Sequence, residues 1–558
     1  MIEQMKKVGF VMEILAVIPA RGGSKGIPRK NVRLIAGKPL IYYAIHNAQQ
    51  CGLITDVAVS SDDEEILTIA ENYHAVALSR SSALAQDAVT LDPVIFDAVE
   101  QMEKRQNKRY DIVITLQATS PVLRSDTLRD AVLEFIDRDA DTYISATNKP
   151  HLSWSKDDRG HFFPLYKERL NRQQLPPNYL EAGAFLITRR ENVTPNSRLG
   201  KSISVYELPE SEAIDIDSPA DWIVCESILG KKRIVLRADG YKQIGMGHIY
   251  HCLTLAYNLV GHEIMFVSRA DCTEGIQKIK DSFMPLTIVR DDEEFFRFLK
   301  EYQPDIVVND CLDTSAEYMK ALKQLCKRVV TIEDMGEGIR YADVVINALY
   351  DNKDETKNGN VYSGEKYICL RDEFLISEPK PFSPEVKTVL SLFGGTDPSN
   401  MTSVIYRLAG KMHQNYPNVR FVFLAGIGYD CETNGIVTRE EENIFVVKDA
   451  KYVSAYMRQA DLAFTSQGRT VYEFAAMGVP AIVLAQNERE QLHTFAQMNN
   501  GFFNLGLGKD VRRETIERSF EFLMNTPQLR SEMRNLMLAR GQELKNGVHR
   551  EVKLILGE

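Results

Sequence analysis

Long apolar runs, closely paired cysteines and an excess of basic residues are all missing from this sequence of 558 residues. No segment approaches the ~20 apolar residues that a membrane helix needs, so we expect no membrane association. The eight cysteines include no Cys-x-x-Cys pair and predict reduced, partly buried thiols in a cytoplasmic protein. Lysine and arginine number 67 against 77 aspartates and glutamates, and the resulting net charge of −10 argues against a nucleic-acid partner.

The composition is otherwise that of a globular protein. Hydrophobic residues make up 44% of the chain and charged residues 26%, which supplies several cores and excludes disorder as the main theme. The length predicts about three or four domain-sized units. Lys6 and Lys7 precede an apolar run that looks like a signal peptide, but Glu13 interrupts this run, so we expect no secretion.

Short β-rich runs alternate with helical patterns along the chain. Residues 14–18 form a buried-strand pattern, and residues 39–50 carry apolar side chains at helical spacing. The alternation restarts at a strand pattern over 234–236 and again over 388–393. It predicts an α/β fold with mostly parallel sheets covered by helices.

Domain boundaries are placed at these restarts. The segment 379–384 carries three prolines and is typical of a stiff connector. We therefore predict an N-terminal domain over residues 1–230, followed by two lobes over residues 231–383 and 384–558.

The first candidate site is the glycine-rich loop that follows the strand at 14–18. Loops at the carboxyl ends of parallel strands bind ligands in α/β folds, and glycines there let backbone N–H groups approach an anion. This loop carries four cationic side chains within ten residues, and that density suits a triphosphate: Arg21, Lys25, Arg29 and Lys30. A basic turn that only faces solvent is the alternative.

Five ordered segments resemble the CMP-sialate synthetases, the cytidylyltransferases that activate nonulosonic acids. They cover about residues 12–228 and comprise 20–31, 60–63, 116–121, 172–176 and 214–219. The resemblance implies a Rossmann-like, GT-A-like nucleotidyltransferase domain. In its reaction a sugar hydroxyl attacks the α-phosphorus of CTP, and pyrophosphate leaves.

The resemblance also implies roles for residues at the matching positions. Arg21 and Lys30 would neutralise the β- and γ-phosphate oxygens, since positioning and charge lower the barrier of such a transfer. Gln117 would bind the sugar or the cytosine, and Arg172 would bind the sugar carboxylate through its planar guanidinium. The further nucleotide-binding residues would be Gly22, Gly23, Ser24, Asn31 and Arg80.

A metal site is expected at the acidic segment. Asp215 and Asp217 alternate along a short extended run, so both carboxylates would point to one face and suit Mg²⁺. The alternative is an acidic strand end that faces solvent. Because a bound metal could acidify the attacking hydroxyl, no histidine base is required, and Asp217 joins Arg21 and Lys30 as a catalytic candidate.

Two departures from the family pattern fall on the expected acceptor side. Asn171 precedes Arg172-Gln173 where the family often has a second arginine, and Ala182 precedes Gly183-Ala184 where the family has asparagine. These changes favour a relative of sialic acid, such as pseudaminic or legionaminic acid.

The second candidate site is the run Gly245-Met-Gly-His248 after the strand at 234–236. His248 would lie at a helix N-terminus, where the dipole disfavours the charged imidazole, so a neutral imidazole could act as a general base. A histidine that merely caps the helix is the alternative. His262, His493, Trp154 and Trp222 show no ligand spacing and are interpreted as packing or surface residues.

This run resembles the Gly-x-Gly-His-x-x-Arg motif of a UDP-sugar hydrolase from the pseudaminic acid pathway. That family is similar to the peptidoglycan N-acetylglucosaminyltransferase and implies two Rossmann-like lobes with a cleft between them, a GT-B-like arrangement. His251 stands where the motif has arginine. Segments 391–398 and 465–473 match the second lobe.

The nucleotide would lie at the start of the helix in that second lobe. Gly468, Arg469 and Thr470 would present N–H groups and a hydroxyl to the diphosphate, and Glu473 would accept from the ribose. Gln467-Gly468-Arg469 replaces the more common glycine- and serine/threonine-rich run. Asn487 would contact the substrate.

These patterns predict a cytoplasmic bifunctional enzyme with CTP, a nonulosonic acid and a UDP-linked diacetamido-trideoxy sugar as ligands and Mg²⁺ as cofactor. A homodimer is the candidate assembly. Two alternatives remain for the C-terminal region, a glycosyltransferase and a non-catalytic nucleotide-sugar-binding module. An oxidoreductase is disfavoured because Gly245-Met-Gly247 lacks the third glycine.

Overall fold

The computed structural model describes residues 12–23, 26–86, 88–138, 140–241, 245–350 and 359–558. The chain divides into two compact units, Met1–Lys231 and Lys232–Glu558. Within the described part of the chain, none of the helices combines the length and apolar character that crossing a bilayer requires. All eight cysteines are free thiols.

The first unit is an α/β domain. Its strands are β1 (Ile14–Pro19), β2 (Leu34–Ile35), β3 (Lys38–Pro39), β4 (Asp56–Ser61), β5 (Val76–Ser79), β6 (Ile112–Leu116), β7 (Thr142–Asn148), β8 (Trp154–Lys156), β9 (Phe162–Pro164), β10 (Tyr179–Arg189) and β11 (Ile203–Glu207). Its helices are α1 (Leu40–Gln50), α2 (Glu64–Asn72), α3 (Leu91–Gln106), α4 (Ser125–Asp137) and α5 (Pro219–Leu229).

The main sheet of this unit has the order β11-β7-β10-β6-β1-β4-β5. Neighbouring strands are parallel except β10, which is antiparallel to both β6 and β7. The prediction of a mostly parallel sheet therefore holds with this one exception. β10 also contains an irregularity between Glu181 and Leu186, which includes Gly183 at φ +69°.

β1 runs through the middle of the sheet because both of its faces are apolar. Ile14, Ala16 and Ile18 pack in the core on one face, and Leu15 and Val17 pack on the other. The loop after β1 consequently emerges at a carboxyl edge that it shares with β4 and β6, where ligands bind in such sheets.

The second unit contains two parallel sheets, one in each lobe. The N-terminal lobe has β12 (Arg233–Ala238), β13 (Glu263–Arg269), β14 (Leu286–Val289), β15 (Ile306–Asp310), β16 (Arg328–Ile332), β17 (Val344–Asn347) and β18 (Val361–Ser363), in the order β14-β13-β12-β15-β16-β17-β18. The C-terminal lobe has β19 (Thr388–Leu392), β20 (Arg420–Ala425), β21 (Ile444–Lys448), β22 (Leu462–Thr465), β23 (Ala481–Ala485) and β24 (Phe502–Leu507), in the order β21-β20-β19-β22-β23-β24.

Helices cover these two sheets. They are α6 (Gly247–Asn258), α7 (Thr273–Asp281), α8 (Asp292–Tyr302), α9 (Ala316–Lys323), α10 (Asp372–Ile376), α11 (Met401–Asn415), α12 (Val453–Gln459), α13 (Thr470–Met477), α14 (Arg513–Asn525), α15 (Pro527–Leu544) and α16 (Gly547–Leu556). The two-lobed α/β arrangement is the one that the sequence patterns predict.

Helix α16 departs from the predicted lobe division at residue 384, because it returns to the N-terminal lobe. Val548 and Ile555 pack in the core of that lobe. Arg328 donates to the carbonyl of Leu554 over 2.9 Å. A Cβ on Gly547 would lie 1.9 Å from the carbonyl oxygen of Ile368, so only glycine permits this approach. The fold thereby brings Glu551 beneath α6.

Candidate functional site

The glycine-rich loop of the first unit is anchored to the end of β4. The N–H of Gly22 donates to Oδ1 of Asp62 over 3.3 Å, and the same oxygen lies 3.3 Å from Nη2 of the buried Arg80. A Cβ on Gly22 would stand 2.5 Å from Oδ2 of Asp63, so the loop cannot approach β4 this closely with another residue there. Arg80, a predicted nucleotide-binding residue, thus connects to the loop through Asp62.

Asn31 closes the base of the same loop. Its Nδ2 donates to the carbonyl of Arg21 over 3.0 Å, and the residue is buried. The amide N–H that sequence reasoning assigned to the nucleotide therefore holds the loop in shape. Ser24, another predicted nucleotide-binding residue, lies outside the described residues, as does Lys25.

Lys30 joins the loop to the acidic segment. Its Nζ donates to the carbonyl of Ile216 over 2.6 Å and lies 3.5 Å from Oδ1 of Asp217. A Cβ on Gly26 would lie 2.7 Å from the carbonyl oxygen of Asp217, so the two chain segments are in direct contact. The cationic loop and the carboxylates that were predicted to share one site are therefore adjacent.

Asp215 and Asp217 lie outside the strands, so their predicted alternation toward one face stays a prediction. Residues 213–217 form no strand; Asp217 is 81% exposed next to Lys30, whereas Asp215 turns inward. Oδ2 of Asp215 lies 3.2 Å from the position of a Cβ on Gly183, and Nε2 of Gln117 lies 3.6 Å from the same position. Gln117 is thus placed next to Asp215.

Asp215 has the features of a cation ligand. Its Oδ1 is buried and has no hydrogen-bond partner among the described residues. Burial raises the pKa of Asp215, Thr119 opposes the shift by a hydrogen bond, and the charge of Asp217 adds to it. A buried carboxylate oxygen without a donor costs free energy, so these residues fit a divalent cation.

Arg172, the predicted carboxylate-binding residue, is not brought to this cluster by any contact. It lies in a short 3-10 turn, Arg172–Gln174, with an exposed side chain. Its guanidinium forms no hydrogen bond or ion pair with another described residue.

The second unit contains a cavity of about 380 Å³ between its two lobes. All the residues that sequence reasoning assigned to this site line the cavity: His248, Gly468, Arg469, Thr470, Glu473 and Asn487. His493, interpreted as a packing or surface residue, is buried and lines the cavity as well; burial lowers its pKa to about 4. Trp222 is buried and Trp154 exposed in the first unit.

A chain of buried charged groups lies beneath His248. Nδ1 of His248 lies 2.5 Å from Oδ1 of Asp310, the last residue of β15. The other oxygen of Asp310 lies 2.8 Å from Nδ1 of His251, and Nε2 of His251 lies 2.8 Å from Oε2 of Glu551. His248 therefore does not cap the helix, and its Nε2 is the ring nitrogen left for a ligand.

The protonation states of these buried groups follow from their contacts. Burial and the nearby Arg469 oppose protonation of His251, but the carboxylates of Glu551 and Asp310 outweigh them and raise its pKa to about 9. Burial opposes ionisation of Asp310, yet the two imidazoles hold its pKa well below the usual range. At neutral pH an imidazolium thus lies between two carboxylates.

His251, Cys369 and Glu551 place their ligand atoms within 4.8 Å of one another. Both ring nitrogens of His251 already bond to carboxylates, and burial raises the pKa of the Cys369 thiol well above its usual value. Among the described residues these bonds satisfy both ring nitrogens of His251, whereas the buried Oε1 of Glu551 has no hydrogen-bond partner.

The side chain of Arg469, the residue before α13, reaches across the cleft to the N-terminal lobe. Its Nη2 lies 3.2 Å from Oε1 of Glu333, the residue after β16, and 3.3 Å from Nδ1 of His251. Burial raises the pKa of Glu333 to about 7, and the guanidinium opposes that shift. The two positions that depart from the hydrolase motif, His251 and Arg469, therefore meet in space.

The start of α13 remains open to an anion. No side chain caps this helix at its first residue, Thr470. Glu473, predicted to accept from the ribose, already accepts from Nε of Arg371 over 2.9 Å. Oδ1 of Asn487, a predicted substrate ligand, accepts from the N–H of Glu490 over 2.9 Å.

The most informative residues of the cleft were missed by sequence reasoning. Asp310 and Glu333 stand at the carboxyl ends of apolar strands, a position that could have drawn attention to them. Glu551 carried no such signal, because only the return of α16 brings it to the site.

Comparison with known proteins identifies the first unit. A cytidylyltransferase family model matches residues 15–156. Pseudaminic acid cytidylyltransferase of Campylobacter jejuni is 36% identical over 217 residues, which are 38% of this chain and 93% of that protein. The chain belongs to the cytidylyltransferase family.

Two other proteins match larger shares of the chain. The chain spans 57% of the length of an uncharacterized protein of Methanocaldococcus jannaschii, with 29% identity over 278 residues, or 46% of this chain. Among solved structures, MurG of Acinetobacter baumannii is 17% identical and covers 59% of this chain and all (100%) of its own, with a TM-score of 0.40. The two-lobed architecture of the second unit rests on its own strand order.

Proposed function

We propose that the first unit transfers CMP from CTP to a nonulosonic acid and releases pyrophosphate. The observation that carries this proposal is the contact of Lys30 with residues 216 and 217, which joins the glycine-rich loop to the acidic segment. The family membership of the chain supports it.

In this proposal the loop binds the triphosphate. Backbone N–H groups near Gly22 and Gly23 and the side chains of Arg21 and Lys30 balance its negative charge. The hydroxyl oxygen of the sugar bonds to the α-phosphorus while the bond to the pyrophosphate oxygen breaks. Arg80 and Asn31 support the loop from beneath.

Asp215 and Asp217 would hold Mg²⁺ in this proposal. The unpartnered Oδ1 of Asp215 supports the fit, since a hard cation is the chemistry that satisfies it. When bound, the ion would lower the charge of the phosphates and the pKa of the attacking hydroxyl. Gln117, next to Asp215, would orient the acceptor.

Pseudaminic acid is our proposed acceptor, with legionaminic acid as the second choice. The relative from Campylobacter jejuni carries pseudaminic acid in its name, and Ala182 and Asn171 depart from the sialic acid pattern. Mass spectrometry of the products from CTP, Mg²⁺ and a panel of nine-carbon α-keto acids tests this. Failure to form any CMP-sugar would contradict the activity, and a product with another acid would contradict only the acceptor.

For the second unit we propose hydrolysis of a UDP-linked diacetamido-trideoxy sugar. The contact of His248 with Asp310 carries this proposal. Nε2 of His248 would take a proton from the attacking water as the bond between sugar and UDP breaks, and Asp310 would stabilise the resulting imidazolium. The diphosphate would lie at the uncapped start of α13.

Incubation with UDP-sugars separates this proposal from its alternatives. Free sugar formed in water alone supports the hydrolase, whereas a glycoside formed only with an acceptor supports a glycosyltransferase. His248→Ala should lower hydrolysis by roughly 100-fold or more. If the second unit is a non-catalytic binding module, neither product forms and His248→Ala leaves every measurable turnover unchanged.

A homodimer in the cytoplasm completes the proposal. The arm formed by β8 and β9 exposes Phe162 (71%) and Trp154 (52%), and Leu165 beside it is 63% exposed. Contact with the same arm of a second copy would cover this apolar surface. Phe162→Ser should then shift the species in size-exclusion chromatography from dimer toward monomer.

A further inference from the structure

Glu333 has a conformation and an environment that packing does not explain. Its φ of +55° lies in the left-handed region, which costs energy for a residue with a side chain. The side chain is 2% exposed and lines the cleft, and its Oε2 has no hydrogen-bond partner in the part of the chain that the structure describes. Strained backbone and an unsatisfied buried carboxylate at the wall of a cavity are features of ligand-binding residues.

The loop around Glu333 is rigid enough to hold this strain. The neighbouring Asp334 is fully buried and accepts from the hydroxyls of Thr314 over 2.6 Å and Thr331 over 2.9 Å. The carbonyl of Glu333 also accepts from Nη2 of Arg489 over 2.8 Å. The carboxylate is therefore held in position before a ligand arrives.

Arg469 supplies a matching unsatisfied donor. Its Nη2 pairs with Oε1 of Glu333, while its Nη1 is buried and has no hydrogen-bond partner on any described residue. The ion pair thus leaves one acceptor oxygen and one donor nitrogen, both on residues that line the cavity. A hydroxyl satisfies both, because it donates one hydrogen bond and accepts another. A phosphate or carboxylate would be repelled by Glu333, and an ammonium by Arg469.

We infer that Glu333 and Arg469 together bind a hydroxyl group of the sugar that the nucleotide carries. The inference rests on the proposed function of the cleft, and it assigns the pair to the sugar and not to the nucleotide. A trideoxyhexose joined to UDP through its anomeric oxygen retains a single free hydroxyl. The pair would bind that hydroxyl and so contribute to the specificity for the sugar.

Steady-state hydrolysis of a UDP-linked diacetamido-trideoxyaltropyranose by the full chain tests this inference. Glu333→Gln should raise KM for the UDP-sugar by roughly 10- to 100-fold, because a hydrogen bond to a charged group is lost. Its Kd for UDP alone, from calorimetry, should stay within about two-fold. An analogue that lacks the free hydroxyl should bind the wild type more weakly but bind Glu333→Gln no worse than the parent sugar does.

Each outcome decides the inference. If wild type and Glu333→Gln turn over both sugars with equal KM, the inference is wrong while the proposed function stands. If only kcat falls, the pair holds the attacking water and not the sugar, which also overturns it. A wild type that neither binds nor hydrolyses the UDP-sugar overturns the proposed function and the inference with it.

Two variants control for structure. Glu294→Gln weakens an ion pair of the N-terminal lobe outside the residues that line the cavity, in which Arg290 donates to Glu294 over 3.1 and 3.3 Å, and should leave KM within about two-fold. Glu333→Asp keeps a carboxylate for Arg469 but withdraws it from the cavity. It should fold with an unchanged thermal midpoint and show the same rise in KM as Glu333→Gln.

Discussion

Nη2 of Arg469 lies 3.3 Å from Nδ1 of His251, so the arginine missing from α6 is matched by one that reaches across from the other lobe. The site retains a guanidinium next to Asp310, although a different part of the chain supplies it. We therefore expect the effects of substitutions at residues 251 and 469 on stability to depend on each other.

A swap of these residues tests that dependence. His251→Arg alone places two guanidinium groups together in a buried site and should destabilise the second unit, whereas adding Arg469→Ser should recover part of the loss. We expect a coupling free energy of about 1–3 kcal/mol from a double-mutant cycle measured by denaturant unfolding. Additive effects would mean that the two positions are independent.

The raised pKa of His251 predicts a pH-dependent stability. Its folded-state pKa of about 9 exceeds the ordinary value of 6.5, so its contribution is complete below pH 6.5 and is lost as the pH rises through 9. Unfolding of the second unit, followed by circular dichroism, should become easier over this range by up to roughly 3 kcal/mol. His251→Gln should flatten the dependence.

Fluorescence supplies an internal control for that experiment. Both tryptophans, Trp154 and Trp222, lie in the first unit. The fluorescence transition should therefore be the same in wild type and His251→Gln. If the stability measured by circular dichroism still depends on pH in His251→Gln, another group causes that dependence.

Gly22 and Gly23 form a matched pair for the first site. Gly22→Ala should lower both the thermal midpoint and the affinity for CTP, because its Cβ would stand 2.5 Å from Asp63. A Cβ on Gly23 meets no atom of the described residues within 4 Å, so Gly23→Ala should leave the thermal midpoint unchanged. It should still weaken CTP binding in calorimetry, since the added methyl would occupy ligand space. Unchanged CTP affinity in Gly23→Ala would place the nucleotide elsewhere.

Asp217→Asn should cut CMP-sugar synthesis by at least ~100-fold, through loss of a metal-binding carboxylate. The side chain is 81% exposed, so the thermal midpoint should not change. Pyrophosphate release with CTP and pseudaminic acid measures the activity. Asp126→Asn, at an exposed carboxylate in the first turn of α4, is the control and should retain full activity. Wild-type rates in Asp217→Asn would remove this residue from the site.

The parts of the fold that could be predicted are those with a local pattern. The strand over residues 14–18 and the helix over 39–50 have periodic apolar residues, and β1 and α1 match them within one residue. The glycine-rich loop was recognisable because its function depends on consecutive residues. The antiparallel β10 was not predicted, since the direction of a strand leaves no local periodicity.

The parts of the candidate sites that escaped prediction are created by distant contacts. Asp310 and Glu551 are separated by 59 and 300 residues from His251, and nothing in their neighbourhoods indicates the pairing. The burial of Asp215 was not predicted, because it depends on a backbone hydrogen bond from the N–H of Ile216 to the carbonyl of Thr119, which is far away in the sequence. Local spacing could not anticipate that bond.

Because α16 returns to the N-terminal lobe, the two units complete their folding at different stages of synthesis. The main sheet of the first unit is complete once β11 (Ile203–Glu207) has been made, so this unit can fold on the ribosome while the rest is translated. The buried imidazolium at residue 251 gains its second counterion only when Glu551 arrives. The nascent chain would therefore contain a folded first unit long before the cleft of the second unit is complete.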